Sequence, residues 1–256
     1  MTPAMLAAIV AGLFGLVIGS FLNVCIYRMP QGLSVVWPAS RCGGCQRTLR
    51  WFENIPILSW VVLGGRCARC QSRISIQYPI VEAVTGVLFA IVAAATPVGP
   101  LLIARLLLVA ALVVLFAIDL EHQILPNAIT LPGIVVGFAF ALVGPPGWRA
   151  SLAGIVLGGG VLYAVAGAYY LVRKEEGLGM GDVKMLAMIG AFLGWKAVLL
   201  TLVLASFSGA LIGVAVILFR RGDMKYALPF GTFLALGALA AMLVGQPVID
   251  WYASFY

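Results

Sequence analysis

Charge is scarce in this sequence. Lys and Arg number 16, Asp and Glu nine, and together they make 10% of 256 residues, against 63% hydrophobic residues and a mean hydropathy of +1.10. A soluble domain carries about a quarter charged residues, so that class is excluded. Basic residues are missing from the start: none precedes Arg28. Without a positive n-region or a small-residue cleavage site, the first apolar run is read as retained, not as a signal peptide. Acids are nearly missing from 28–73, where Glu53 stands alone among seven Arg. The net charge of +7 could suggest nucleic acid, but this clustering reads instead as a cytoplasmic loop, and no nucleic-acid partner is expected. A nucleotide-binding glycine fingerprint is absent as well. Histidine occurs once, at His122.

Long apolar runs fill most of the chain. A membrane-spanning helix takes roughly 20 apolar residues. On that measure the candidate spans are 5–27, 79–96, 101–119, 128–144, 151–172, 184–195, 197–219 and 228–245. The expected fold is an all-α polytopic membrane protein with about eight transmembrane helices and a small cytoplasmic domain between the first two. The run from Val183 to Phe219 is too long for one span and is divided at Gly194-Trp195-Lys196, which leaves the sixth span short and in need of membrane thinning or burial. With 28–78 inside, alternation puts 173–183 and 220–227 inside too. Of the basic residues only Arg105, Arg149 and Lys196 then fall outside, so both termini are expected outside. The expected domains are 1–27, a first helix; 28–78, the cytoplasmic domain; and 79–256, the remaining helices. Glycines inside the spans, such as Gly154, Gly158, Gly159 and Gly160, suit close helix packing.

Four of the five cysteines form a pattern. Cys42-Gly-Gly-Cys45 is followed after 21 residues by Cys67-Ala-Arg-Cys70. Paired Cys-x-x-Cys motifs at about this separation bind structural zinc, because two short knuckles complete a tetrahedron of thiolates. A disulfide pair is the alternative, and a reducing cytoplasm disfavours it. Cys25, inside the first span, reads as an inert buried thiol.

Ionisable residues at membrane depth are costly and therefore functional candidates. Asp119 closes the third span and Asp182 opens the sixth. The topology puts both at the cytoplasmic edge, where two close carboxylates can share a proton and perform acid–base chemistry on a water. The plainer reading is that each caps a helix end. Asp182 would suit a helix N-terminus, whereas Asp119 near a C-terminus is unfavourable. Gly177, Gly179 and Gly181 alternate in a way that suits no helix, and suggest open backbone that a substrate chain can approach. Glu175 and Glu176 could attract a basic peptide or merely be solvated. His122 could join Asp119 and Glu121 in a site, although an interfacial hydrogen-bonded histidine is the commoner role.

At these residues the chain resembles the bacterial type IV prepilin peptidases, the leader peptidase/N-methyltransferases. The likeness runs through Gly19-Ser-Phe-Leu-Asn23-Val-Cys-Ile-Tyr-Arg28-Met-Pro30, the paired cysteines, Glu53-Asn54-Ile-Pro56, Tyr78-Pro79-Ile-Val-Glu82, Asp119 to Pro126, Gly179-Met-Gly181-Asp182 and Leu228-Pro229-Phe230-Gly231. It implies an aspartic protease with Asp119 and Asp182 as catalytic dyad, Gly179, Gly181, Glu175 and Glu176 toward substrate, and structural zinc on Cys42, Cys45, Cys67 and Cys70. It also implies cleavage of the basic leader of type IV prepilins and type II secretion pseudopilins at the cytoplasmic face. Methylation of the new N-terminus from S-adenosylmethionine would follow, with Arg28, Glu53, Asn54 and Glu82 as candidates for that site. Asn127 departs from the pattern, where an acid is expected after the proline. The rival readings are a peptidase without methyltransferase activity, a proton-coupled transporter using the two aspartates as relays, and a non-catalytic scaffold. A transporter would favour similarity between halves, and none is evident. The oligomeric state is not written in the residues.

Overall fold

The computed structural model describes residues 2–174, 179–220 and 228–254. Their regular structure is helical, apart from two isolated antiparallel bridges, Arg41 with Thr48 and Arg66 with Arg73. The helices are α1 (Pro3–Arg28), α2 (Leu58–Val62), α3 (Gln77–Ala95), α4 (Pro100–His122), α5 (Asn127–Val143), α6 (Trp148–Arg173), α7 (Met180–Leu193), α8 (Trp195–Arg220) and α9 (Phe230–Ala253). Each expected span coincides with one of them, α2 excepted. The chain divides into two compact units, 1–102 and 103–256.

In the first unit α1 lies along α3. Thr2 caps α1 by accepting the Met5 N–H, and Pro3 occupies its first turn. The helices meet through missing side chains. A Cβ on Gly15 would stand 2.9 Å from the Gly86 Cα, and one on Gly19 2.7 Å from the Glu82 Cα. Such small-residue seams let backbones approach in a medium that offers no hydrophobic drive between helices. Asn23 spans the seam, donating to the Gly19 carbonyl at 3.2 Å and the Tyr78 carbonyl at 3.1 Å.

The second unit is built around α7, which packs against α5, α6, α8 and α9 and buries every side chain from Met185 to Ala191. Gly154 and Gly158 of α6 face the Gly190 and Leu186 carbonyls of α7. On the other flank, Gly133 and Gly137 of α5 receive Met188 and Phe192. Ser151 ties α6 to α7 by donating to the Ala191 carbonyl at 2.7 Å. The break after α7 falls at Gly194, whose φ of +81° costs a side-chain-free residue little.

Five helices among the described residues are long and apolar enough to cross a membrane: α1, α3, α4, α6 and Trp195–Val216 of α8. The chain is thus a multi-pass membrane protein, although not all eight expected spans meet that criterion. α5 and Phe230–Gly245 of α9 are apolar but shorter. α7 has 14 residues, about 21 Å at the α-helical rise. Protein surrounds it on several sides, so its short length is met by burial and not by a lipid-facing span.

Candidate active site and metal centre

Both aspartates lie in the second unit. Asp119 sits one turn from the end of α4 and is 4% exposed. That helix stops when Gln123 takes φ +54°, its N–H still bonded to the Asp119 carbonyl at 2.9 Å. The first turn of α9 then supplies the donors. Thr232 gives its N–H to Asp119 Oδ2 at 2.7 Å and its hydroxyl to the same oxygen at 3.1 Å. First-turn amides lack helical partners, so a carboxylate fits there. Gly231 makes room, since a Cβ on it would stand 3.0 Å from that oxygen.

Asp182 occupies the first turn of α7 and is 9% exposed. Its Oδ1 is buried with no hydrogen-bond partner. A carboxylate that merely capped α7 would spend its oxygens on amide donors, so the helix-cap reading leaves Oδ1 unexplained. Leu125 is wedged where the two acidic elements meet. It would be 2.9 Å from a Cβ on Gly181 and equally close to one on Gly231. Beside it Lys184 donates to Asn127 Oδ1 at 2.9 Å, joining the starts of α5 and α7. The ends of α4, α5, α7 and α9 thus converge on two carboxyls.

Some expected site residues take other places. Gly179 is the N-cap of α7 in extended conformation, while Gly181 is helical, so the irregular backbone expected there is shorter than the glycine spacing suggests. A first turn tolerates Gly because its amides lack helical partners anyway. Glu121 and His122 are exposed at the end of α4. Glu175 and Glu176, with Gly177, lie outside the described residues. Thr232 and Leu125 were not singled out from the sequence. Thr232 carried one usable signal, a polar residue inside an apolar run.

The cysteines converge in the first unit. Two stretches, 41–48 and 66–73, repeat one backbone pattern. Cys42 N–H bonds the Arg47 carbonyl and Cys67 N–H the Ser72 carbonyl, both at 2.9 Å, while Gln46 and Gln71 take φ of 56° and 57°. The four Sγ atoms lie within 4.8 Å of one another, with Cys42 and Cys70 3.7 Å apart. That separation is far beyond an S–S bond. It matches the roughly 3.8 Å edge of a tetrahedron with Zn–S near 2.3 Å. The four thiols therefore fit a zinc ion. Ser72, absent from the sequence-based candidates, lies 3.5 Å from Cys42 Sγ and 3.1 Å from Cys70 Sγ. Its hydroxyl, with the Cys45 and Gly44 amides, pushes the Cys42 thiol down to about 5, and it also lowers Cys70. Both effects favour the metal-binding thiolates.

Three of the four residues suggested for S-adenosylmethionine, Glu53, Glu82 and Arg28, have partners within the protein. Glu53 forms a bidentate pair with Arg47, at 2.6 and 3.0 Å, and accepts the Arg50 N–H. Arg47 holds its carboxyl below the usual carboxylate range. Glu82 is buried in α3 and accepts the Ile57 N–H at 2.8 Å. Arg28 donates to the Ser34 carbonyl, and Asn54 is exposed. Glu53 and Glu82 are therefore spent on internal contacts, while Asn54 keeps an exposed position.

Comparison with known proteins accords with this layout. Residues 13–96 match the bacterial peptidase A24 N-terminal domain, and 106–214 match the type IV leader peptidase family. A prepilin leader peptidase/N-methyltransferase of Aeromonas salmonicida (strain A449) is 38% identical over 270 residues, covering 94% of this chain and 92% of that one. The chain belongs to the type IV leader peptidase family. Relatives with the same name share 37% identity in Pseudomonas putida, over 95% of this chain and 92% of that protein, and 42% in Myxococcus xanthus (strain DK1622), over 83% and 64%. No solved structure gives a significant match. Within the leader peptidase match fall Asp119, Leu125 and Asp182, and within the N-terminal one fall all four paired cysteines.

Proposed function

We propose that the chain is an aspartic endopeptidase that removes the basic leader of type IV prepilins and type II secretion pseudopilins, with Asp119 and Asp182 as its dyad. The observation that carries this reading is the pair of buried carboxyls on different helices, one fixed by Thr232 and the other with a free buried oxygen. A water between them loses a proton to one carboxylate as it adds to the scissile carbonyl carbon. The other carboxyl protonates the carbonyl oxygen. The resulting diol collapses, the C–N bond breaks, and the departing nitrogen takes up a proton. Both Thr232 donors order Asp119 through Oδ2. The cysteine centre would hold zinc structurally, since four thiolates complete its coordination. In this reading the protein lies in the bacterial inner membrane, with both termini periplasmic and the dyad at the cytoplasmic face.

N-methylation is the second half of the relatives' printed name. Here it would transfer a methyl group from S-adenosylmethionine to the new terminal amine. The internal engagement of Glu53 and Glu82 favours a second reading, cleavage without methylation, or else donor binding by other residues. One experiment tests both. Purified protein, Asp119→Asn and Asp182→Asn are incubated in lipid with a prepilin and S-adenosylmethionine, and the products are weighed by mass spectrometry. Each substitution should reduce cleavage by at least about a thousandfold, as loss of a member of a catalytic unit does. Undiminished cleavage in both variants would remove the dyad. Leader loss without the added methyl mass would select the second reading.

A further inference from the structure

The 29–76 segment carries a second surface that neither the carboxylate pair nor the cysteine centre uses. Helix α2 is only five residues long, yet it is two-faced. Trp60 turns inward, its indole N–H donating to the Ile74 carbonyl at 3.3 Å and its ring covering Gly65. Leu58, Val61 and Val62 stand at i, i+3 and i+4 on the other side, exposed by 63%, 61% and 82%. The neighbouring turn Trp51–Asn54 packs on α2 and adds Trp51, 80% exposed, with Phe52 edge-on to it. These side chains belong to no spanning helix, so crossing the bilayer does not account for their exposure.

Charge and position indicate what covers them. Arg41, Arg50, Arg66, Arg69 and Arg73 are all exposed, while the one acid of the segment, Glu53, is neutralised by Arg47. The unpaired charge of this segment is therefore of one sign, and Arg50 lies beside the surface, 5.9 Å from the centroid of the Phe52 ring. Glu82 fixes its height. It accepts the N–H of Ile57, the residue just before α2, and sits five residues into α3 from Gln77. At 1.5 Å per residue that is about 7–8 Å along the helix. A bilayer's headgroup layer is about 5–8 Å deep on each side. The tie thus holds α2 beside the first two turns of α3, at the end of that helix joined to the 29–76 segment.

We propose that α2 and the Trp51–Phe52 turn dock into an anionic lipid leaflet, with Leu58, Val61, Val62 and Trp51 in the interface and the arginines against lipid phosphates. This inference rests on α1 and α3 crossing the membrane, and it does not depend on the aspartate dyad. Apolar side chains on a short helix, a tryptophan and surrounding arginines are what an interfacial segment requires. Each arginine near such a surface adds an attraction that falls off as salt rises.

The test uses the full chain in nanodiscs of brominated lipid, either neutral phosphatidylcholine or a mixture with phosphatidylglycerol. The difference in emission between wild type and Trp51→Phe reports on Trp51 alone. In anionic discs at low salt bromine should quench that component at least twofold, and much less in neutral discs or at high salt. Leu58→Ser combined with Val62→Ser should abolish the quenching while bound zinc and leader cleavage stay unchanged. Absence of quenching in the anionic discs at low salt overturns the proposal, as does equal quenching in both lipids at every salt concentration. Shielding of Trp51 that appears only with two chains per disc also overturns it, and assigns the surface to a second copy.

Discussion

Thr232 holds Asp119 through two different groups, and they can be separated. Its backbone amide survives any substitution except proline, while its hydroxyl does not. A hydrogen bond to a charged group contributes about 1.5–3 kcal/mol, so Thr232→Val should lower kcat for leader cleavage about ten- to a hundredfold. KM and the melting temperature should barely change, and Thr232→Ser should restore most of the rate. Gly231→Ala should be more severe, because its methyl group would meet both Asp119 Oδ2 and Leu125. Steady-state kinetics on a fluorogenic leader peptide measures all three. A Thr232→Val enzyme at full rate would mean that the amide alone orders the carboxyl.

Among the elements, α7 bears the tightest constraints because it is enclosed by its neighbours. A methyl on Gly190 would overlap the Gly154 carbonyl of α6, and one on Gly158 would come within 2.6 Å of the Leu186 carbonyl. Neither obstacle is a flexible side chain, so the helices must separate. Overpacking of this kind costs about 1–3 kcal/mol. Gly190→Ala should lower the melting temperature in detergent by several degrees and reduce cleavage by moving Asp182. Gly160 on the same helix as Gly158 has nothing within 4 Å of the added Cβ, so Gly160→Ala should leave both properties intact. Equal effects at the two sites would show that helix propensity, and not the α6–α7 crossing, sets the cost.

For the whole molecule, every residue named for the dyad belongs to 103–256, and all four paired cysteines belong to 1–102. Removing the metal should accordingly separate the activities. Atomic absorption should find one zinc per chain. Cys42→Ser with Cys67→Ser, or a strong chelator, should release it and open 40–74 to limited proteolysis, because so small a segment depends on its metal to fold. Leader cleavage should persist within about threefold while any methylation is lost, because substitutions at sites with no shared partners act independently. Cleavage that disappears together with zinc would show that the first unit is needed to form the dyad.

Chemistry that depends on residue type and on distance along the chain was open to sequence reading. Long apolar runs located the helices, because the bilayer sets a span's length. The break near Gly194 followed from the same length limit. The paired Cys-x-x-Cys motifs specified four thiolates, since a knuckle is a local structure. Two isolated acids in apolar surroundings marked themselves by their desolvation cost. Contacts made by residues far apart in sequence left no comparable trace. Thr232 reaches Asp119 across 113 positions, Lys184 reaches Asn127 across 57, and Ile57 reaches Glu82 across 25. Glu53 and Glu82 could be read as cofactor ligands or as loop salt bridges and interfacial anchors, and only the fold named Arg47 and the Ile57 amide as their partners. The sequence by itself determined which residue types were available for chemistry and which stretches form helices. Only the tertiary structure decided which of them meet, because hydrogen bonds and helix crossings act over a few ångströms of space whatever their separation along the chain.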